Sequence, residues 1–206
     1  MDKKSFRKDC LRRLKKCPEN RKRILDKLVS QKVAKLISYH KPKNILFYLP
    51  MQIEVNLNQL LSKERKKSNI FIPFIVGESF KMVHYRLPLK RNNYNIYESA
   101  NSHLVQKRVD MIIVPVVGVD GNFKRVGFGK GMYDRFYEKL GQKPIVLFIQ
   151  RVECKSCKRV TDFHDIQADY YITPQKIQKL GKRNDNRDHI GRRWSHSRRS
   201  SSVYNC

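Results

Sequence analysis

Residues 110–140 read DMIIVPVVGVDGNFKRVGFGKGMYDRFYEKL, and this stretch decides the fold. Residues 110–119 are β-branched and almost continuously apolar, as a parallel strand covered on both faces would be. A glycine-rich loop follows. Beyond it Tyr133, Phe136, Tyr137 and Leu140 fall at i, i+3, i+4 and i+7, the spacing of one helix face. Strand, glycine loop and helix in that order make the repeating unit of an α/β protein.

The pattern extends in both directions. Downstream, 143–150 reads as another buried strand and 169–172 as a last short one. Upstream, 69–75 reads as a strand with Pro73 inside it, which places that proline near an edge or at a bend. Its hairpin partner is 80–87, and the polar stretch 90–102 has no clear period. A short buried strand is expected at 44–49 and a helix at about 56–67. Two basic helices open the chain. The first, 3–17, carries Phe6, Cys10, Leu11, Leu14 and Cys17 on one stripe and stops at Pro18. The second, about 20–39, repeats the pattern with Leu25, Leu28, Val29, Val33, Leu36 and Ile37. The sum is an α/β single domain over 1–180, with a mostly parallel central sheet flanked by helices. Residues 181–206, rich in Arg and Ser, have no apolar period and read as a disordered tail.

Charge narrows the ligand class. The 206 residues carry 45 Lys+Arg against 18 Asp+Glu, a formal net charge of +27. Residues 175–206 hold only +7 of it, so the folded part is basic in its own right. Such a chain seeks anions: nucleotides, polyanionic ligands, nucleic acid or membrane surfaces. The apolar runs 111–117 and 145–149 are too short to cross a bilayer, and the basic start has no apolar h-region after it. Five cysteines, an odd count, fit reduced thiols and a cytoplasmic location. Cys154-Lys155-Ser156-Cys157 has no second C-x-x-C or His pair to complete a metal set and reads as incidental.

Chemistry concentrates in the loop. Gly127, Gly129 and Gly131 alternate, which lets backbone N–H groups turn toward an anion without Cβ obstruction. The following helix adds the positive end of its dipole, and Arg125 and Lys130 add full charges. Asp134, one turn into the helix, is placed to reach a Mg²⁺ bridging phosphates. The spacing is neither that of a P-loop nor that of the dinucleotide-binding fingerprint. The same residues also read as an ordinary glycine-rich turn, with Asp134 merely favourable near a helix start.

The run Arg125-Val126-Gly127-Phe128-Gly129-Lys130-Gly131-Met132-Tyr133-Asp134-Arg135 resembles the Arg-x-Gly-x-Gly-x-Gly-Tyr-Tyr-Asp-Arg pattern of the 5-formyltetrahydrofolate cyclo-ligase family. Three further stretches resemble that family in order and spacing. They are Lys3-Lys4-Ser5-Phe6-Arg7, the segment from Phe47 to Glu54, and Phe163-His164-Asp165-Ile166-Gln167-Ala168-Asp169. The resemblance spans about residues 3–174. Met132 replaces the first tyrosine of the family pattern, and Asn95-Ile96-Tyr97-Glu98-Ser99 matches the family's Gly-Ile-x-Glu-Pro only loosely.

The resemblance implies conversion of 5-formyltetrahydrofolate to 5,10-methenyltetrahydrofolate with ATP as co-substrate and Mg²⁺. It implies ATP contacts at Lys3, Lys4, Ser5, Phe6 and Arg7 and along 125–133, that is Arg125, Val126, Gly127, Phe128, Gly129, Lys130, Gly131, Met132 and Tyr133. Leu49, Glu54, Met132 and Tyr133 would meet the folate, and Asp134 and Asp165 the metal. Lys130 and Arg125 are the expected catalytic cations, with Lys130 stabilising the transferring phosphoryl group. The positive charge would favour a polyglutamylated, polyanionic folate. Each residue also has a plainer reading: Lys3 and Arg7 as solvated helix charges, Glu54 as a loop carboxylate, Asp165 as a cap, Tyr133 as core, His164 as structural. Two other functions fit the composition. One is nucleic-acid binding, which leaves the glycine loop with Asp134 unexplained; the basic tail alone would bind RNA weakly. The other is a phosphosugar isomerase or transferase on a similar sheet, which would not need ATP.

Overall fold

A computed structural model describes residues 2–91, 97–99 and 108–181. The expected tail lies outside the described residues. The first helix, α1 (Lys3–Lys15), is capped by Asp2, whose Oδ1 accepts the Ser5 N–H at 2.8 Å. After Pro18 comes α2 (Glu19–His40), which closes on Lys41 in the left-handed conformation. Then follow β1 (Asn44–Leu46), α3 (Asn58–Glu64), β2 (Asn69–Val76) and β3 (Ser79–His84). The polar stretch forms β4 (Lys90–Arg91) and β5 (Tyr97–Glu98). The stretch that decided the fold supplies β6 (Met111–Pro115), β7 (Gly118–Val119), β8 (Arg125–Val126) and α4 (Met132–Glu138). The chain continues through β9 (Ile145–Ile149), β10 (Tyr170–Ile172) and β11 (Ile177–Lys179).

Seven strands make one sheet in the order β11-β10-β9-β6-β1-β2-β3. The five central strands are parallel, and β3 and β11 close the two edges antiparallel. Side chains alternate between the two faces. Ile45, Ile70, Met111, Ile113, Leu147 and Ile149 pack with Val29, Val33, Leu36 and Ile37 of α2 and with Leu60 and Leu61 of α3. Leu46, Phe71, Ile112, Val114, Val146 and Phe148 pack with Phe136 of α4. Strands buried on both faces explain the near-continuous apolar runs in the sequence.

Several expectations change in detail. The strand read at 110–119 is two strands. Beyond Val116, whose N–H still donates to Ile149 of β9, the chain leaves the sheet; the Val117 N–H donates to the Val126 carbonyl, and β7 pairs antiparallel with β8. Burial of every residue in between hides the break. Pro73 behaves as its type demands: β1 pairs with β2 only as far as Phe71, so Pro73 faces β3 alone. The strand at 170–172 is not the last, since β11 follows it as a hairpin; its pattern has exposed residues at both ends. The expectation of reduced thiols is corrected. Cys10 of α1 is disulfide-bonded to Cys154, with Cα atoms 5.8 Å apart. Cys157 is also in a disulfide, and Cys17 is a free thiol. Cys10 and Cys154 lie with Phe6, Leu14, Val117 and Val126 in a third apolar cluster, which fastens α1 beside the glycine loop. No described helix is long and apolar enough to cross a membrane.

Candidate active site

The fastening of α1 puts basic side chains over the loop. A polar cleft of about 290 Å³ lies there, lined by Lys3, Arg7, Arg125, Gly127, Asp134 and Asp165 among others. Arg7 Nε donates to the Gly127 carbonyl at 2.8 Å. Lys3 Nζ is 2.5 Å from Asp165 Oδ2 and 2.9 Å from Asp162 Oδ2. Burial pulls the Lys3 ammonium down, but its hydrogen bonds to Asp165 and Asp162 outweigh that and hold it above the ordinary lysine value. The hydrogen bond from Lys3 holds the Asp162 carboxyl below the usual carboxylate range.

Arg125 is the centre of the cleft. Its side chain is buried, its Nη1 is 3.1 Å from Asp134 Oδ2, and its guanidinium lies 5.0 Å from the Tyr133 ring centroid. Its Nε is buried with no hydrogen-bond partner among the described residues. Gly127 makes this packing possible. A Cβ there would stand 2.5 Å from Arg125 Nη1 and 2.6 Å from its Cζ. Gly129 and Gly131 turn the chain with φ of +110° and +62°, which only glycine adopts readily. The helix they lead into, α4, has 7 residues, so its dipole adds little; side-chain cations supply the positive field.

Arg125 and Gly131 also line a second, apolar cleft of about 400 Å³. Tyr48, Leu49, Phe80, Phe128, Met132 and Tyr133 give it its character, and Glu54 is its buried carboxylate. Burial pushes Glu54 up to about 7; the Met51 N–H, which donates to its Oε2 at 2.8 Å, and Arg125 and Arg151 work against that shift. Burial, reinforced by Glu54, also raises the Tyr48 and Tyr133 hydroxyls.

The expected residues divide between the two clefts. Lys3, Arg7, Gly127, Gly129, Asp134 and Asp165 line the polar one. Leu49, Glu54, Phe128, Lys130, Met132 and Tyr133 line the apolar one. Lys130, expected among the phosphates, is thus on the apolar side of Arg125. Lys4 and Ser5 are exposed and line neither cleft, while Phe6 and Val126 are core residues beneath the loop. Of the loosely matching segment, Tyr97 lines the apolar cleft; Asn95 and Ile96 lie outside the described residues.

Sequence reading missed the residues that hold Glu54 in place. Arg151 forms a buried bidentate pair with Asp26 of α2, at 2.8 and 3.0 Å. It also donates to the carbonyls of Ile53, at 3.1 Å, and Glu54. No motif marks either residue. Asp162 was likewise unread. Ligand atoms of Asp162, His164 and Asp165 lie within 4.8 Å of one another. The Asp162 and Asp165 carboxylates offer the hard oxygen donors that a divalent cation such as Mg²⁺ takes; Asp134, the other expected ligand, lines the same polar cleft as Asp165 but stands outside this group, its Oδ2 facing Arg125 and its Oδ1 accepting the Ile166 N–H.

Comparison with known proteins decides the family. The model of the 5-formyltetrahydrofolate cyclo-ligase family matches residues 1–174. The chain belongs to that family. Cyclo-ligase relatives include the 5-formyltetrahydrofolate cyclo-ligase of Mus musculus, 28% identical over 69% of this chain and 78% of the mouse protein. That of Mycoplasma genitalium is 27% identical over 84% of this chain and 98% of its own. Among solved structures, the Aquifex aeolicus 5,10-methenyltetrahydrofolate synthetase superposes with a TM-score of 0.76 at 27% identity, covering 95% of this chain and 97% of that one.

Proposed function

We infer that this cyclo-ligase family member converts 5-formyltetrahydrofolate to 5,10-methenyltetrahydrofolate with MgATP, the polar cleft taking the triphosphate and the apolar cleft the folate. Arg125 carries this reading, because it is the cation common to both clefts and has a buried donor without a partner. The formyl group on the 5-nitrogen is an amide whose oxygen leaves poorly. That oxygen attacks the γ-phosphorus and ADP departs. The 10-nitrogen then attacks the formyl carbon, loses its proton, and the ring closes as phosphate leaves with the formyl oxygen.

Such chemistry needs positioning and charge neutralisation more than a protein nucleophile. Arg125 spans the donor phosphate and the acceptor oxygen, and Lys130 adds charge from the folate side. Lys3 and Arg7 reach the phosphates from α1. Asp165 and Asp134 would hold Mg²⁺, which would neutralise phosphate charge, with Asp162 and His164 beside Asp165. Glu54, when ionised, accepts hydrogen bonds from pterin donors. A net charge of +20 on residues 1–174 favours a polyglutamylated folate, and the basic 181–206 tail adds weak RNA association.

The purified chain, mixed with 5-formyltetrahydrofolate and MgATP, should develop methenyltetrahydrofolate absorbance. The signal should vanish when either ATP or Mg²⁺ is left out. Product without ATP, or none from a folded protein that binds ATP, would contradict the reading.

A further inference from the structure

Lys3, Arg7, Cys10 and Leu14 fall at i, i+4, i+7 and i+11 of α1, one face of the helix. The first two reach the polar cleft, Lys3 to Asp165 and Asp162, and Arg7 to the Gly127 carbonyl. Among the described residues these are the polar contacts that α1 side chains make with other elements. Below them the helix rests on the apolar cluster that surrounds the Cys10–Cys154 disulfide. The two cations of the cleft and the covalent anchor of their helix therefore share one face.

We propose that Cys10 and Cys154 are positioning residues set by redox state: their disulfide holds α1 where Lys3 and Arg7 meet the phosphates, and reduction by a dithiol releases the helix and weakens nucleotide binding. This inference rests on the reading of the polar cleft given above. Cys154 is a fixed point. Its N–H donates to the hydroxyl of the buried Tyr171 at 3.1 Å, and its carbonyl accepts the Val119 N–H at 3.0 Å. Gly118 of β7 lets α1 come down onto that point. A Cβ there would stand 2.9 Å from the Phe6 ring and 3.0 Å from both Cys10 Sγ and the Cys154 carbonyl oxygen. Cys10 is about one helical turn from Arg7 and two from Lys3, so the bond fixes where both cations land. Freed of it, they must be ordered anew each time a ligand binds, which costs affinity.

Reduction is a thiol–disulfide exchange. One thiolate of the dithiol attacks a sulfur of the pair, the S–S bond breaks, and the other cysteine leaves as a thiolate that takes up a proton. The second reagent thiol closes on the mixed disulfide, releases the remaining cysteine as a thiol, and departs as a cyclic disulfide. Cys10 and Cys154 together gain two electrons and two protons, which the reagent loses. Both cysteines are at most 2% exposed, so attack requires α1 to lift from the loop. A nucleotide held by Lys3 and Arg7 on one side and by the glycine loop on the other opposes that lift. By linkage, the factor that reduction takes from ATP affinity is the factor by which bound ATP resists reduction.

The test is calorimetric titration of the full chain with MgATP, after oxidation by glutathione disulfide and after reduction by dithiothreitol. The Cys10→Ala/Cys154→Ala and Cys157→Ala variants are titrated beside it. Reduction should weaken ATP binding about fivefold or more. KM for 5-formyltetrahydrofolate should not change, because no residue of α1 lines the apolar cleft. The double variant should bind ATP as the reduced chain does and ignore the dithiol. Cys157→Ala should respond as the wild type does, which sets the disulfide of Cys157 aside. In a dithiothreitol buffer that leaves the pair half reduced, saturating ATP should restore the oxidised form, read by alkylation and mass. Equal ATP affinity in both redox states, with only a lower Tm on reduction, would make the disulfide a staple and overturn the proposal. So would a dithiol effect that persists in the double variant. An oxidised, folded chain that binds no ATP would overturn the phosphate-site reading itself, and the positioning role with it.

Discussion

In the polar cleft the aspartates already have cations: Lys3 beside Asp165 and its neighbour Asp162, Arg125 beside Asp134. In the apolar cleft Glu54 has an amide N–H as its close partner, and burial raises its pKa to about 7. One region pairs its charges before ligand arrives; the other keeps a carboxylate poised near neutrality in apolar surroundings. The polar cleft is therefore set to exchange one set of ions for another, which costs little desolvation. The apolar cleft is set to choose a ligand by shape and by a single ionisable acceptor. Arg125 is where the two meet.

The largest effect is expected at the floor beneath Glu54. Arg151→Ala strands Asp26 and frees two carbonyls, and should cost about 3–5 kcal/mol of stability by denaturant unfolding. A loss under about 1 kcal/mol would mean that the apolar cleft does not depend on this buried pair.

Next comes the junction. Arg125→Ala should lower turnover by about 10²–10³-fold, and Lys130→Ala by a similar order with the fold intact, both read from methenyltetrahydrofolate formation. Near-wild-type turnover in Lys130→Ala would remove that lysine from the mechanism and leave Arg125 to bridge the clefts alone. Gly127→Ala is a finer probe. The added methyl collides with the far end of the Arg125 side chain, so the fold should survive with a loss of about 1–2 kcal/mol. The guanidinium must shift, and turnover should drop about tenfold. Full turnover in that variant would show that the position of Arg125 is not critical.

The smallest effect is one of pH. Glu54 has its folded value raised from 4.5 to about 7, so between these the folded chain holds a proton that the unfolded chain has lost. Its contribution to stability is greatest below about 4.5 and is lost as pH rises through 7. Folate affinity runs the other way, because the ionised form accepts hydrogen bonds; kcat/KM for 5-formyltetrahydrofolate should rise about tenfold from pH 6 to 8. Glu54→Gln should flatten both trends. A pH rise that survives in Glu54→Gln would assign it to another group.

Much of this was legible in the chain. Apolar runs at 111–115 and 145–149 mark strands buried on both faces, and the alternating glycines mark the loop that lines the polar cleft. The family pattern led to Glu54, Asp134 and Asp165. Other features depend on contacts between distant residues, which local spacing does not encode. The break between β6 and β7 is hidden because both sides of it are buried. Asp26 and Arg151 are 125 positions apart, and Cys10 and Cys154 are 144 apart. Lys130 lies among the glycines in sequence yet lines the apolar cleft, a placement that spacing alone does not encode.

The most direct test follows the formyl oxygen. The chain is supplied with MgATP and 5-formyltetrahydrofolate labelled with ¹⁸O in the formyl group, and the inorganic phosphate released is analysed by mass. If the γ-phosphoryl group is transferred to that oxygen across Arg125, each phosphate formed with methenyltetrahydrofolate carries one ¹⁸O atom. Unlabelled phosphate, with the ¹⁸O released to water, would contradict phosphoryl activation of the formyl group and with it the pairing of the two clefts.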